Sequence, residues 1–170
     1  MINQTEKRFS FGVITMSDKG SRGEREDTSG EYLKTTLTEA GFQLEAYRIV
    51  PDDRQTIVNT LIEFVDEIQV DLVVTTGGTG LSPSDVTPEA MCDVLKYEIP
   101  GMAEAMRSAS LAKTSRAMLS RGRAGVRGKS LIINLPGSLK AVRENLEVVL
   151  PVFGHALEKI QGSTADCGAE

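Results

Sequence analysis

The segment Asp71-Leu72-Val73-Val74-Thr75-Thr76-Gly77-Gly78-Thr79-Gly80-Leu81-Ser82-Pro83-Ser84-Asp85-Val86-Thr87-Pro88-Glu89-Ala90 restricts the folds open to this chain more than any other. Its apolar, β-branched start predicts a strand buried on both faces, as in a parallel sheet. The run stops at three glycines within four positions. There the backbone can take φ > 0 and meet a ligand with no side chain between them. A helix restarts at Thr87-Pro88-Glu89, with threonine expected as N-cap, proline at the first helical position and glutamate at the positive end. Between strand and helix lie Ser82, Ser84 and Asp85. Glycine amides, hydroxyls and one carboxylate suit a nucleotide phosphate with its magnesium ion.

Similar patterns flank this segment. Phe9 to Ser17 predicts a first strand that runs into a polar loop, Asp18 to Gly23. Ligands bind at strand ends of α/β sheets, so Ser17 and Asp18 are candidates, although Asp18 is equally a turn former beside glycines. A helix is expected from Ser29-Gly30 to about Ala40, stopped by Gly41. Phe42 to Val50 then alternates, with Phe42, Leu44, Ala46, Arg48 and Val50 on one better-buried face. After Pro51-Asp52-Asp53, helical spacing of Ile57, Val58, Leu61, Ile62 and Val65 predicts a helix to about Ile68. Both aspartates have an ordinary reading there, as cap and as charge at the helix start. If the strands before Asp52 and Asp85 are parallel, they end at one edge and their carboxylates can share a cleft.

The second half predicts helices over about Pro88–Lys96 and Met102–Ala112, a closing segment Tyr97–Gly101 between them, and a short helix through Ala117–Leu119. Met102 and Met106 read as core filling. A short strand, a turn at Gly128-Lys129 and a buried strand, Leu131 to Leu135, form an antiparallel hairpin at a sheet edge. Pro136-Gly137-Ser138 leads into the last helix, from Leu139 to about Ile160, with Ser138 as N-cap. This is either a second anion site or a plain strand-to-helix turn. Pro151 predicts a kink or two short helices. Residues 1–8 and 163–170 are expected to be flexible around a single domain.

Composition removes several function classes. At 170 residues and 40% hydrophobic, the chain can bury the core of one soluble domain. No apolar run approaches the ~20 residues needed to span a bilayer, and the N-terminus has no signal-peptide core, so a cytoplasmic protein without membrane contact is expected. Cys92, Cys167 and the single histidine, His155, make neither a zinc cluster nor a Ser-His-Asp triad. His155 reads as a helix-surface residue. The net charge is −5, yet no acidic residue falls between Glu104 and Glu144, where nine lysines and arginines lie. That block suggests one anionic ligand, or for most of its members a solvated face. No aromatic residue lies between Tyr97 and Phe153, so nucleic-acid stacking is not expected. Neither the P-loop nor the dinucleotide fingerprint occurs.

The glycine segment, with Val50-Pro51-Asp52 and Ile132-Ile133-Asn134-Leu135-Pro136-Gly137, resembles the signature of the molybdopterin adenylyltransferases. These are the MogA and MoaB type of molybdenum-cofactor biosynthesis proteins, found also as a domain of gephyrin. The likeness runs in order from about Phe9 to Gln161. It implies a three-layer αβα sandwich with a mostly parallel sheet and an antiparallel edge hairpin. It further implies transfer of the adenylyl group of ATP to the terminal phosphate of molybdopterin, with magnesium, in a homotrimer that has a molybdenum-insertion protein as a partner.

On matched positions the resemblance gives Asp85 as magnesium ligand, and Asp52 as a second metal contact or an orienting group. Gly77, Gly78, Thr79 and Gly80 would cradle the nucleotide phosphate, and Ser17 and Asp18 join them as nucleotide contacts from their place at a strand end. Asn134, Pro136, Gly137 and Ser138 would line the opposite wall, and Ser120 and Arg121 would meet phosphate on the pterin or leaving-group side. Ser84 departs from the pattern, standing where other members carry a basic residue. A non-catalytic molybdopterin carrier or scaffold of the same pathway is the alternative.

Overall fold

The computed structural model describes residues 8–163. The expectation of flexible ends falls almost wholly outside this range, and Cys167 lies outside it too. Six strands form one sheet in the order β2-β1-β3-β6-β5-β4. They are β1 (Ser10–Met16), β2 (Gln43–Val50), β3 (Leu72–Thr76), β4 (Tyr97–Glu98), β5 (Ala124–Arg127) and β6 (Ser130–Leu135). The first four in spatial order run parallel; β5 and β4 complete the sheet antiparallel. The helices are α1 (Asp18–Ser21), α2 (Thr28–Glu39), α3 (Arg54–Ile62), α4 (Thr87–Val94), α5 (Pro100–Leu111) and α6 (Leu139–Ile160).

The central strands β1, β3 and β6 are buried on both faces, which is why their sequences are nearly continuous apolar runs. On one face Phe11, Val13, Val74 and Ile133 pack against Leu33 and Leu37 of α2, Met102 and Met106 of α5, and Val149 and Phe153 of α6. On the other, Ile14, Val73 and Ile132 meet Ile57 and Leu61 of α3 and Met91 and Val94 of α4. Each fully buried large apolar side chain contributes about 1.5–3 kcal/mol. The result is the expected three-layer sandwich. Gly12 permits one close approach in it, because a Cβ there would lie 2.5 Å from the Phe64 ring.

Five local expectations need correction. The single buried face expected for β2 is broken, because Phe11 pairs with Leu44 but Gly12 pairs with Ala46, leaving Glu45 bulged. The bulge turns Leu44 and Ala46 to opposite faces, and Leu44 is 39% exposed on this edge strand. The polar loop after β1 begins as one helical turn, with the Ser17 side chain accepting from the Gly20 amide at 3.0 Å. Thr87 is not the N-cap of α4: Val86 is, and the Thr87 amide donates instead to Gly78 O at 3.3 Å. Part of the closing segment pairs with β5 as β4, so the β5–β6 hairpin is not the outermost edge. Finally, α6 runs unbroken through Pro151, which is exposed, while Leu146, Val149, Phe153 and Leu157 anchor the helix on either side. Asp53 is the N-cap of α3 as its ordinary reading had it, accepting from the Thr56 amide at 2.8 Å.

Candidate functional site

The parallel strands deliver their carboxyl ends to one rim, where a cleft of about 560 Å³ opens. Ser17 enters it from the end of β1, Asp52 from β2, Gly77 and Gly78 from β3, and Gly137 and Ser138 from β6. Asp85, eight residues beyond the first of those glycines, reaches the same cleft. The topology therefore brings together two carboxylates that are 33 positions apart in sequence.

Any side chain would strain the glycine turn. Gly77 has φ 102° and Gly78 φ 64°. A Cβ on Gly77 would lie 2.5 Å from Met16 O, and one on Gly78 would lie 2.2 Å from Thr87 Oγ1. The Gly77 amide donates to Leu135 O at 3.1 Å. Across the floor, Thr76 Oγ1 donates to Pro136 O at 2.6 Å and Ser29 Oγ to Gly137 O at 3.0 Å. The two glycine segments are thereby stitched together, so closely that a Cβ on Gly137 would lie 3.3 Å from Gly77 Cα. Ser138 caps α6, whose first-turn amides sit beside the cleft with the positive end of a 22-residue helix.

Negative charge crowds the other wall. The Asp18 amide donates to Asp52 Oδ2 at 3.0 Å, and the Asp52 amide returns the bond to Asp18 Oδ1 at 2.9 Å. Burial raises the Asp52 carboxyl above its ordinary value; the Asp18 amide opposes this, while the charges of Asp18 and Asp85 add to it. Asp85 Oδ2 accepts from the Ser82 amide at 2.9 Å. Glu26 and Asp27 line the cleft as well, with Arg25.

Asp27 is a residue that sequence reasoning missed. It N-caps α2 through the Gly30 amide at 2.8 Å and accepts from Tyr47 Oη at 2.7 Å, and burial together with this bond raises the Tyr47 phenol. An aspartate directly before Thr28-Ser29-Gly30 was the available signal, since aspartate is among the strongest N-cap residues.

A smaller cavity of about 270 Å³ lies beside the same turn, lined by Thr79, Gly80, Arg107, Ser120, Pro136 and Asn145 among others. The glycine segment is thus a shared wall, with Gly77 and Gly78 on one cavity and Thr79 and Gly80 on the other. Asp18, Asn134 and Arg121 line neither. Asp18 backs Asp52. Asn134 is buried, with Nδ2 donating to Thr75 Oγ1 at 2.9 Å and Oδ1 unpartnered. Arg121 is engaged within the protein by Gly80 O, Asp85 O and Glu89.

The basic block is largely dispersed into separate pairs: Arg123 with Glu98, Arg127 with Asp66, Lys113 with Glu144, and Arg143 over the Tyr32 ring. Arg107 and Arg116 reach the smaller cavity. His155 is exposed on α6. Among the described residues, no group of three or more His, Cys, Asp or Glu could enclose a metal, and no helix is long and apolar enough to cross a membrane.

Known proteins share this fold. Residues 12–155 match the family described as probable molybdopterin binding domain. A protein named molybdopterin adenylyltransferase from Helicobacter pylori strain J99 is 47% identical over 155 residues, covering 90% of this chain and 88% of its own. One of the same name from Escherichia coli K12 is 42% identical, covering 86% and 76%. The crystal structure of the molybdopterin biosynthesis enzyme MoaB from Thermus thermophilus superposes with TM-score 0.86 at 50% identity, covering 91% of this chain and 98% of that one.

Proposed function

The chain belongs to the molybdopterin-binding domain family of molybdenum-cofactor biosynthesis proteins, and from that premise we propose that it transfers the adenylyl group of ATP to the terminal phosphate of molybdopterin. One observation carries this reading. Asp52 and Asp85 flank the Gly77–Gly80 turn in a single cleft, opposite the start of α6.

The chemistry asks little covalent work of a protein. A terminal phosphate oxygen of molybdopterin attacks the α-phosphorus of ATP; the new P–O bond forms as the bond to the β-phosphate oxygen breaks, and pyrophosphate leaves with that electron pair. The nucleophile is already an anion, so no general base is required, which suits a chain with one histidine. What the site must supply is alignment and charge neutralisation. The amides of the Gly77 turn and of the α6 start are suited to phosphate oxygens. The smaller cavity, apolar on one side and bordered by Arg107 and Arg116, suits the pterin end, with Ser120 at its wall.

The donor set also fits magnesium. Asp52 is pushed up partly by the charges of Asp18 and Asp85, a tension that a bound divalent cation would relieve. With two carboxylates from the protein and the remaining positions left to phosphate and water, coordination is of the kind magnesium prefers. Asp85 and Asp52 would hold the ion, and its chemistry is to neutralise charge on the triphosphate. Asp18 orients Asp52, and the Gly77 turn keeps the phosphates in line.

Purified protein incubated with ATP, magnesium and molybdopterin is expected to release pyrophosphate in step with adenylylated pterin. Tight molybdopterin binding with no pyrophosphate release would instead assign the carrier role.

A further inference from the structure

We infer that Arg121 is a positioning residue that fixes the Asp85 loop through its backbone carbonyls, rather than a contact to substrate phosphate. The inference rests on the role given to Asp85 above. The loop from Gly80 to Asp85 has few other restraints. Leu81 to Ser84 are exposed, and the Asp85 amide and carboxylate bond back only to Ser82.

Among the described residues, the hydrogen bonds that restrain the loop from outside come from one side chain and its own amide. The Arg121 amide donates to Thr79 O at 2.9 Å, and its Nε donates to Gly80 O at 2.9 Å. Nη2 donates to Asp85 O at 2.6 Å, while Nη1 pairs with Glu89 in the first turn of α4. One planar group therefore joins both ends of the loop to the helix that follows it. Burial pushes the Glu89 carboxyl up, but the bond and charge of Arg121 carry it below its ordinary value, as a committed ion pair requires.

A guanidinium reaches three acceptors in fixed directions within one plane, which a lysine ammonium on a flexible stem cannot reproduce. Three of the five N–H groups of Arg121 are spent on the protein, and the side chain lines neither cavity. Its neighbours Leu119 and Ser120 wall the smaller cavity, so the clamp also ties that wall to Asp85.

The test compares Arg121→Lys, Arg121→Ala and Asp85→Ala in the full chain. Amide hydrogen exchange across residues 80–85 is expected to accelerate by about tenfold or more in both Arg121 variants, with β1, β3 and β6 unchanged. Affinity for manganese alone, read by electron paramagnetic resonance, is expected to fall. The kcat is expected to drop about 10²-fold in Arg121→Ala, with KM for the pterin substrate nearly unchanged and no rescue by lysine. In an Asp85→Ala background the further loss of Arg121 is expected to cost little, because the two act as one unit. Rescue by lysine, with a raised pterin KM and unchanged loop exchange, would overturn the proposal in favour of a phosphate contact. Unchanged exchange in Arg121→Ala would overturn it whatever the activity. Accelerated exchange beside a fully active Asp85→Ala would uphold the clamp on the loop and overturn the metal-holding role given to Asp85.

Discussion

Asp18 and Asp52 hold each other by a reciprocal pair of bonds, each backbone amide donating to the other's carboxylate across the ends of β1 and β2. The pair fixes both side chains while leaving their charges close together. Burial, and then the charges of Asp18 and Asp85, raise the Asp52 carboxyl. A carboxyl raised on folding binds its proton more tightly in the folded state. Its stabilising contribution is complete below the ordinary value of 3.8 and is lost as pH rises through the raised value. Asp52→Asn keeps an oxygen for the Asp18 amide and removes the charge. It is expected to raise Tm at neutral pH, by a margin that shrinks on acidification, while adenylylation falls. Thermal melts across pH check this; a variant less stable at every pH would remove the repulsion from the account.

Asp85→Ala removes the second carboxylate without touching the glycine turn. ATP- and magnesium-dependent adenylylation is expected to fall by about 10²-fold or more, with molybdopterin binding largely kept. Parallel turnover and pterin-binding measurements separate the two, and full activity in this variant would end the assignment.

Gly77→Ala tests the turn itself. With φ 102° and Met16 O 2.5 Å from the added carbon, the backbone must shift. A loss of about 2 kcal/mol is expected, which for a chain of this size lowers Tm by roughly 4–8 °C. A melting temperature equal to that of the parent would show that the turn relaxes freely.

Pro151→Ala restores an N–H donor in the middle of α6, far from the cleft residues in the helix's first turn. Stabilisation on the order of 1–3 kcal/mol is expected, with turnover unchanged. Chemical denaturation resolves a gain of that size, and a loss would mean that Pro151 packs better than its exposure implies.

What the chain disclosed on first reading follows from the range of the forces involved. The β3 strand, its glycine stop and the Asp53 cap depend on neighbours within a few positions, so composition and spacing carried them. The rest depended on distant partners. The Glu45 bulge is set by the register of β2 against β1, which no local pattern encodes. Thr87 enters α4 itself, its amide bonded to Gly78 nine residues back and its Oγ1 buried against that glycine with no helix amide to accept from. Arg121 reads as a free cation in a basic block until Gly80, Asp85 and Glu89, 41, 36 and 32 positions away, are seen around it. Asp27 escapes the sequence reading because a helix opening at Ser29 hides an N-cap that lies before Thr28.

The three inner strands finish level with one another: Thr15 lies beside Thr76, and Thr76 beside Leu135. A one-residue slip of any of them would carry its loop about 3.3 Å along the sheet and invert the side chains that face the helices. Turnover is then an audit of alignment, because a chain that has folded with one strand out of step has no working rim. Core variants that weaken the protein without such a slip should yield fewer competent molecules, each as fast as the parent.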